Sequence, residues 1–281
     1  MIQQKISFIG GGNMARAIAG GLLRGGMHAT DVMIAEPSPA QAERLRQEFY
    51  GVMVSDDNAQ IAAHADIVLF AVKPQILKPV CQKLAATVQQ NKPLIISIAA
   101  GPRSHDIERW LGGNLDVVRV MPNQPALVDQ GVSALFANDT TSKKQRKLAG
   151  RILSAVGQTV WVDNEDLIDA VTAVSGTGPA YFYLLIDILI DSAIRFGIDA
   201  SSARTLAVET ARGAAALALA EPESMKTLID RVRSPGGTTT AAFERLEADG
   251  VRDIFGAAIE AARVRAIELA ELANQDSETL K

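Results

Sequence analysis

Cysteine is all but missing: Cys81 is the single one in 281 residues, so no disulfide closes within the chain. A secreted disulfide scaffold is excluded, and a reducing compartment is expected. Histidine is scarce too, and His28, His64 and His105 stand too far apart to share the spacing of a zinc site. No metal is expected. Basic residues do not dominate, 28 against 32 acidic for a net charge of -4, so there is no electrostatic footprint for nucleic acid. The most apolar run, Tyr181 to Ile190, is interrupted by Asp187 and stopped by Asp191. It falls short of the roughly 18–20 uncharged residues that a bilayer crossing needs. The opening MIQQKISFIGGGNM lacks a basic segment followed by a long apolar run, as a signal peptide would have. Neither a GxxxxGK[ST] phosphate loop nor a GxSxG nucleophile elbow occurs, so ATP chemistry and serine hydrolysis lose support. These absences leave a soluble, cytoplasmic chain with no membrane or nucleic-acid partner as the expectation.

What is present is material for packing. Hydrophobic residues make up 48% of the chain and prolines number only 11, which fits two modest folded domains rather than a disordered tract. Short apolar runs at Lys5–Ile9, Val32–Ala35, Ile67–Phe70, Leu94–Ile98 and Val117–Met121 alternate with helical periodicity over Met14–Arg24, Pro39–Phe49, Gln75–Gln89 and Ser104–Leu111. That alternation predicts a parallel sheet wrapped by helices. Later strands are expected at Gly131–Phe136 and Thr159–Val162, with a helix over Ser142–Ala155 between them. After Val162 the texture becomes alanine-rich and helical: 166–174, 179–196, 202–219, 225–232, 239–248 and 251–273. Its apolar content exceeds what one thin helical layer can bury, which points to a core completed against another subunit. The expected division is 1–162 and 163–281.

Phe8-Ile9-Gly10-Gly11-Gly12-Asn13-Met14-Ala15 leads from the first strand straight into the first helix. Gly10, Gly12 and Ala15 fill the three small-residue positions of a dinucleotide-binding turn: one turns sharply, one admits the pyrophosphate, one lets helix and strand pack closely. Free N–H groups at the helix start and its dipole suit a diphosphate. Glu36 ends the second strand, where a carboxylate meets the adenosine ribose and disfavours the extra phosphate of NADP; Ser38 could instead donate to that phosphate, or cap a helix. NADP(H) and NAD(H) both stay open. Ala71-Val72-Lys73-Pro74, Ser97-Ile98-Ala99-Ala100-Gly101 and Met121-Pro122-Asn123 end three further strands on the edge where such sheets bind ligands, and together they suggest a nicotinamide cleft. Lys73, preceding a proline, should be extended. In the helical half, Ser234-Pro235-Gly236-Gly237-Thr238-Thr239 opens a helix that Thr238 or Thr239 could cap, and its N–H groups make a plausible carboxylate cradle. Pro179, after the Ser175-Gly176-Thr177-Gly178 turn, should start another helix.

The segments FIGGGNMARAIAGG, AVKPQ, SIAAG, MPNQPALV, DAVTAVSGTGPAYF and SPGGTT, in this order, resemble those of the pyrroline-5-carboxylate reductases over nearly the whole chain. The resemblance implies an α/β Rossmann-type parallel sheet domain followed by an all-α dimerisation domain, assembled as a dimer or a ring of dimers. It implies reduction of the cyclic imine Δ1-pyrroline-5-carboxylate to L-proline with NAD(P)H, the last step of proline biosynthesis. Cofactor contacts would fall on Ile9, Gly10, Gly11, Gly12, Asn13 and Met14, on Glu36, Ser38 and Asn58, and on Ala71, Val72, Lys73 and Pro74. Ile98, Ala99 and Ala100 would complete them, and Asn123, from its place at the strand end named above, is expected to join them. Substrate contacts would fall on Glu165, Ser234, Gly236, Gly237, Thr238 and Thr239. Because a protonated imine is already electrophilic, Thr239 is expected as the catalytic residue, its hydroxyl orienting the ring nitrogen. Glu36 stands where many members carry a neutral residue, and Arg231 where some carry asparagine. Two other readings compete. One is a two-domain dehydrogenase of β-hydroxyacid or ketopantoate reductase type, which would need a catalytic lysine from the helical half. The other is a non-catalytic dinucleotide sensor.

Overall fold

The structure, a computed structural model, describes residues 2 and 4–275. Eight strands form one sheet: β1 (Ile6–Ile9), β2 (Val32–Ala35), β3 (Met53–Ser55), β4 (Ile67–Phe70), β5 (Leu94–Ser97), β6 (Val117–Met121), β7 (Gly131–Ala137) and β8 (Gly157–Trp161). Their order is β3-β2-β1-β4-β5-β6-β7-β8, and every pair is parallel except β6 with β7. The exception follows from chain length. Between Met121 and Gly131 there is room for one short 3-10 turn, Gln124–Val128, and none for the crossover a parallel partner requires.

Strand residues alternate between two cores. Ile6, Phe8, Ile34, Ile67, Leu69, Ile96 and Val118 point to a face closed by α1 (Asn13–Arg24), α2 (Pro39–Glu48) and α6 (Lys143–Leu153). Ile9, Met33, Val68, Phe70, Ile95 and Val117 point to the other, closed by α3 (Asn58–Ala62), α4 (Pro74–Asn91) and α5 (Ser104–Trp110). Burial on both faces is why these strands read as unbroken apolar runs. The β3–α3 pair was not expected from the sequence: Met-Val-Ser is short, lies at a sheet edge and is only half buried, so it carries no periodic signal.

Beyond the sheet come α7 (Leu167–Val171) and a π-helical turn, Thr172–Gly176, in which the N–H and hydroxyl of Thr177 both donate to the Thr172 carbonyl at 2.8 and 3.0 Å. This widened turn interrupts the helix expected over 166–174. It is followed by α8 (Gly178–Arg195), α9 (Ala200–Ala220), α10 (Met225–Val232), α11 (Thr238–Ala248) and α12 (Val251–Gln275). Asp199 caps α9, accepting from the N–H groups of Ser201 and Ser202, and Ser224 caps α10. Packing divides the chain into two compact units, residues up to Thr177 with α12 from Ala262 onward, and Gly178–Ala261.

The second unit is nearly all helix surface. On α8, Phe182, Leu184, Ile188 and Leu189 are 65, 53, 51 and 49% exposed. A helix apolar on nearly all sides is stable only when something covers it. By length and mean hydropathy (1.4) alone the stretch Leu167–Arg195 would pass for a membrane span, although Asp169, Asp187 and Asp191 keep it from being an uncharged one.

Candidate active site

Because β1, β2, β4, β5 and β6 run parallel, their carboxyl ends share one edge, and the order of strands reverses between β1 and β4. That reversal opens a crevice where such sheets take their ligands. Gly10 sits there with φ +102°, and a Cβ on it would come within 2.9 Å of the Ala71 carbonyl. Its N–H donates to Ala35 at 2.9 Å, while Ala71 donates to Ile9 at 2.9 Å, so the glycine turn is strapped to both neighbouring strands. Gly12 is the exposed N-cap of α1, carries no side-chain cap, and a Cβ on it would meet open space. The N–H groups of Asn13 and Met14, in the first helical turn, have no helical partner. These residues fit a dinucleotide diphosphate.

Glu36 is not merely solvated. Its Oε2 accepts from the Gly11 N–H at 3.0 Å and its Oε1 from the Ser38 N–H at 2.9 Å. Gln41, which sequence reasoning did not single out, donates its amide to the Gly11 carbonyl at 2.9 Å. A Cβ on Gly11 would lie 2.5 Å from Leu45 Cδ1, so a larger residue there would push the Leu45 side chain of α2 aside. The Ser38 hydroxyl caps α2, accepting from Gln41 at 3.5 Å. Asn58 opens α3 behind the Asp57 cap. Lys73 is extended (φ -61°, ψ 144°), as its place before a proline predicts, and Pro74 begins α4. Ile98 follows β5, its N–H donating to Phe70 at 3.1 Å, with Ala99 and Ala100 beyond it at the same edge.

Asn123 uses its side chain elsewhere. Its Oδ1 accepts from Val132 at 2.9 Å and its Nδ2 donates to the Ser175 carbonyl at 3.3 Å, tying the end of β6 to β7 and to the π-helical turn. Glu165 is likewise engaged: it accepts from the N–H and hydroxyl of Ser104 at 2.7 and 2.8 Å, and from Arg119 at 3.4 Å. Arg119, 1% exposed, also pairs with the buried Asp169 at 3.1 Å. Arg103 bridges to Asp166 and Asp169. Partial burial works against the Arg103 charge, but the Asp166 hydrogen bond and the fields of Asp169, Asp166 and Glu165 outweigh it and raise its pKa. Sequence reasoning missed this network. Its one available signal was a charged residue in the middle of the apolar strand Val-Val-Arg-Val-Met.

In the helical unit, Ser234–Gly237 forms a turn closed by the Gly237 N–H on the Ser234 carbonyl at 2.9 Å, with Gly236 at φ +70°. The capping expectation needs correction: Gly237 is the N-cap of α11, and neither Thr238 nor Thr239 caps it, since both already lie within the helix. Thr240, not either of them, returns its hydroxyl to the Ser234 carbonyl at 2.7 Å. Among the described residues the hydroxyls of Thr238 and Thr239 have no partner, and the first N–H groups of α11 are left without side-chain acceptors. Arg233 lies 5.1 Å from the Phe243 ring centre and pairs with Glu247 at 3.0 Å, which holds the turn against its helix. No cluster of three His, Cys, Asp or Glu side chains that could hold a metal occurs among the described residues.

Known proteins are similar to this chain in sequence and fold. The family model described as pyrroline-5-carboxylate reductase dimerisation matches residues 165–269, and one described as NADP oxidoreductase, coenzyme F420-dependent, matches 5–101. A pyrroline-5-carboxylate reductase of Pseudomonas aeruginosa is 44% identical over 98% of this chain and 100% of its own. Among solved structures, the reductase of Coxiella burnetii superposes with a TM-score of 0.89 at 40% identity, covering 96% of this chain and 99% of that one. The Plasmodium falciparum enzyme, solved with NADP bound, gives 0.86 at 28% identity over 96% and 99%. With a relative this similar across almost its full length, and with its helical segment matched to the dimerisation model, the chain belongs to the pyrroline-5-carboxylate reductase family.

Proposed function

We propose that this chain reduces Δ1-pyrroline-5-carboxylate to L-proline with NAD(P)H, the closing step of proline biosynthesis, chiefly by holding an imine that is already electrophilic. The observation that carries the reading is the uncapped start of α11, where free N–H groups and the unpartnered Thr238 and Thr239 hydroxyls follow a glycine turn. A helix N-terminus of this kind favours a carboxylate. Gly236, Gly237 and the first turn of α11 hold the substrate's carboxylate, and the Thr239 hydroxyl hydrogen-bonds the ring nitrogen. A threonine hydroxyl is too weak an acid to drive protonation, so its part is orientation and relay of a solvent proton. The nicotinamide, when bound, supplies the hydride. Gly10, Gly12, Asn13 and Met14 hold its diphosphate, and Ala71 to Pro74 with Ile98 to Ala100 border the ring. Glu165 and Ser234 shape the substrate side through the bonds they make to their own neighbours.

By function the chain divides into a dinucleotide-binding part, 1–162, and a dimerisation and substrate part, 163–281. It works in the cytoplasm as a dimer or ring of dimers, without membrane or nucleic-acid partners. A dehydrogenase with a catalytic lysine is disfavoured because Lys226, in the helical half, is spent on Asp230 at 2.8 Å and flanks no glycine turn. A cofactor sensor would have no use for the prepared start of α11.

The test follows NADH and NADPH oxidation separately with pyrroline-5-carboxylate as substrate. Oxidation of neither rejects the function. Thr239→Ala should lower turnover about ten- to a hundredfold while the dissociation constant for the dinucleotide stays put. Unchanged turnover would take Thr239 out of the mechanism.

A further inference from the structure

The corner at the carboxyl end of β2 turns its backbone donors onto Glu36. The Ser38 N–H donates to Glu36, and the Ser38 hydroxyl oxygen accepts from the Gln41 N–H at the α2 cap while keeping its own O–H. The Gly11 N–H is taken by the other oxygen of the same carboxylate. Beside this corner, between the ends of β2 and β3, lies an open hollow of about 490 Å³ whose charged lining is Glu36, Glu43, Asp56 and Arg46. Arg46 is the one cation among them; it donates to the Val54 carbonyl at 3.2 Å and lies 3.6 Å from Glu43.

An adenosine ribose placed there meets a carboxylate acceptor, which suits a free 2′-hydroxyl donor. A 2′-phosphate has no donor to offer in return. It would add a dianion to a hollow lined by three carboxylates and one arginine that already faces Glu43, where the Gly11 and Ser38 N–H groups are given to Glu36. Like charges a few ångströms apart repel, most at the partly buried Glu36 and less at the exposed Glu43 and Asp56, where salt screens them. The family model over residues 5–101 is named for NADP, and at this corner the chain's own residues point the other way.

We propose that Glu36, backed by Glu43 and Asp56, makes the site discriminate against a 2′-phosphorylated ribose, so that NADH is the preferred hydride donor. This rests on the dinucleotide reading above, but not on the identity of the imine.

Calorimetric titration of the full chain with ADP-ribose and with 2′-phospho-ADP-ribose tests it without any turnover. ADP-ribose should bind at least about tenfold more tightly. The gap should shrink as ionic strength is raised, and Glu36→Gln should close it to within about threefold by removing the charge. The NADH-to-NADPH ratio of kcat/KM should move in the same direction in that variant. Equal or tighter binding of the phosphorylated ligand overturns the proposal, and so does a gap that Glu36→Gln leaves intact. Binding of neither ligand overturns both the proposal and the cofactor reading. Selective binding without imine reduction supports the proposal and overturns the function instead.

Discussion

The sheet unit and the helical unit are built from the same kinds of apolar residue and treat them in opposite ways. Ile6, Phe8, Ile34, Ile67 and Leu69 are 0% exposed, sealed by helices of the same chain, whereas Phe182 and Ile188 on α8 stand 65 and 51% open. In α9 only Ala203 and Ala207 are buried, and α10 and α11 bury nothing. A sheet with both faces covered is finished within one chain. The helical unit is not, and the dimerisation model that matches residues 165–269 names what finishes it, a second copy. Stability of the first unit is therefore intramolecular, while that of the second depends on concentration.

The sharpest way to break this contrast is a charge on α8. In a symmetric pair every substitution occurs twice, and burying a side chain of this size is worth about 1.5–3 kcal/mol per copy. Ile188→Glu should therefore weaken self-association at least about a hundredfold, read by sedimentation, and imine reduction should fall with it. A variant that stays assembled at low micromolar concentration would show that α8 is not the covered surface.

A smaller effect asks how complete the sheet unit is by itself. Arg119 is its largest fully buried side chain, and two carboxylates depend on it. Removing one partner of a buried ion pair costs about 3–5 kcal/mol, because the other charge is left without compensation. Arg119→Ala should lose that much in urea unfolding of the sheet signal. Adding Asp169→Asn should restore part of it. If the single substitution proves neutral, the network is solvated in solution and the sheet unit is less closed than its strands suggest.

Legibility in the sequence follows the same contrast. The central strands could be read because residues covered on both faces are apolar one after another, and the glycine turn because strand, small residues and helix follow each other without a gap. The incomplete helical core was legible as a surplus of apolar residues. Partnerships distant along the chain were not. Nothing local in Arg119 names Glu165 or Asp169, 46 and 50 residues away, and nothing local in Gln41 names the Gly11 carbonyl, 30 residues away. The roles expected for Asn123 and Glu165 came from strand-end position and from the family. Their side chains are engaged in bonds that only the folded chain brings together.

The mildest probe is Cys81, which lies on α4 within the second sheet core at 0% exposure. Burial pushes its thiol up to about 12. An unfolded chain releases that proton from about pH 9, whereas the folded one keeps it to about 12, so above pH 9 the unfolded state binds fewer protons and is favoured. Below pH 9 the group makes no pH-dependent difference. From there upward stability should fall by up to roughly 1.4 kcal/mol per pH unit. Cys81→Ala lacks this slope, so the difference in unfolding free energy between wild type and variant should narrow as the pH rises from 9 to 10.5. At pH 8 the native thiol should resist iodoacetamide and react only in denaturant. Rapid labelling of the native chain would mean that the sheet core opens locally, and the division between a sealed unit and an unfinished one would have to be redrawn around α4.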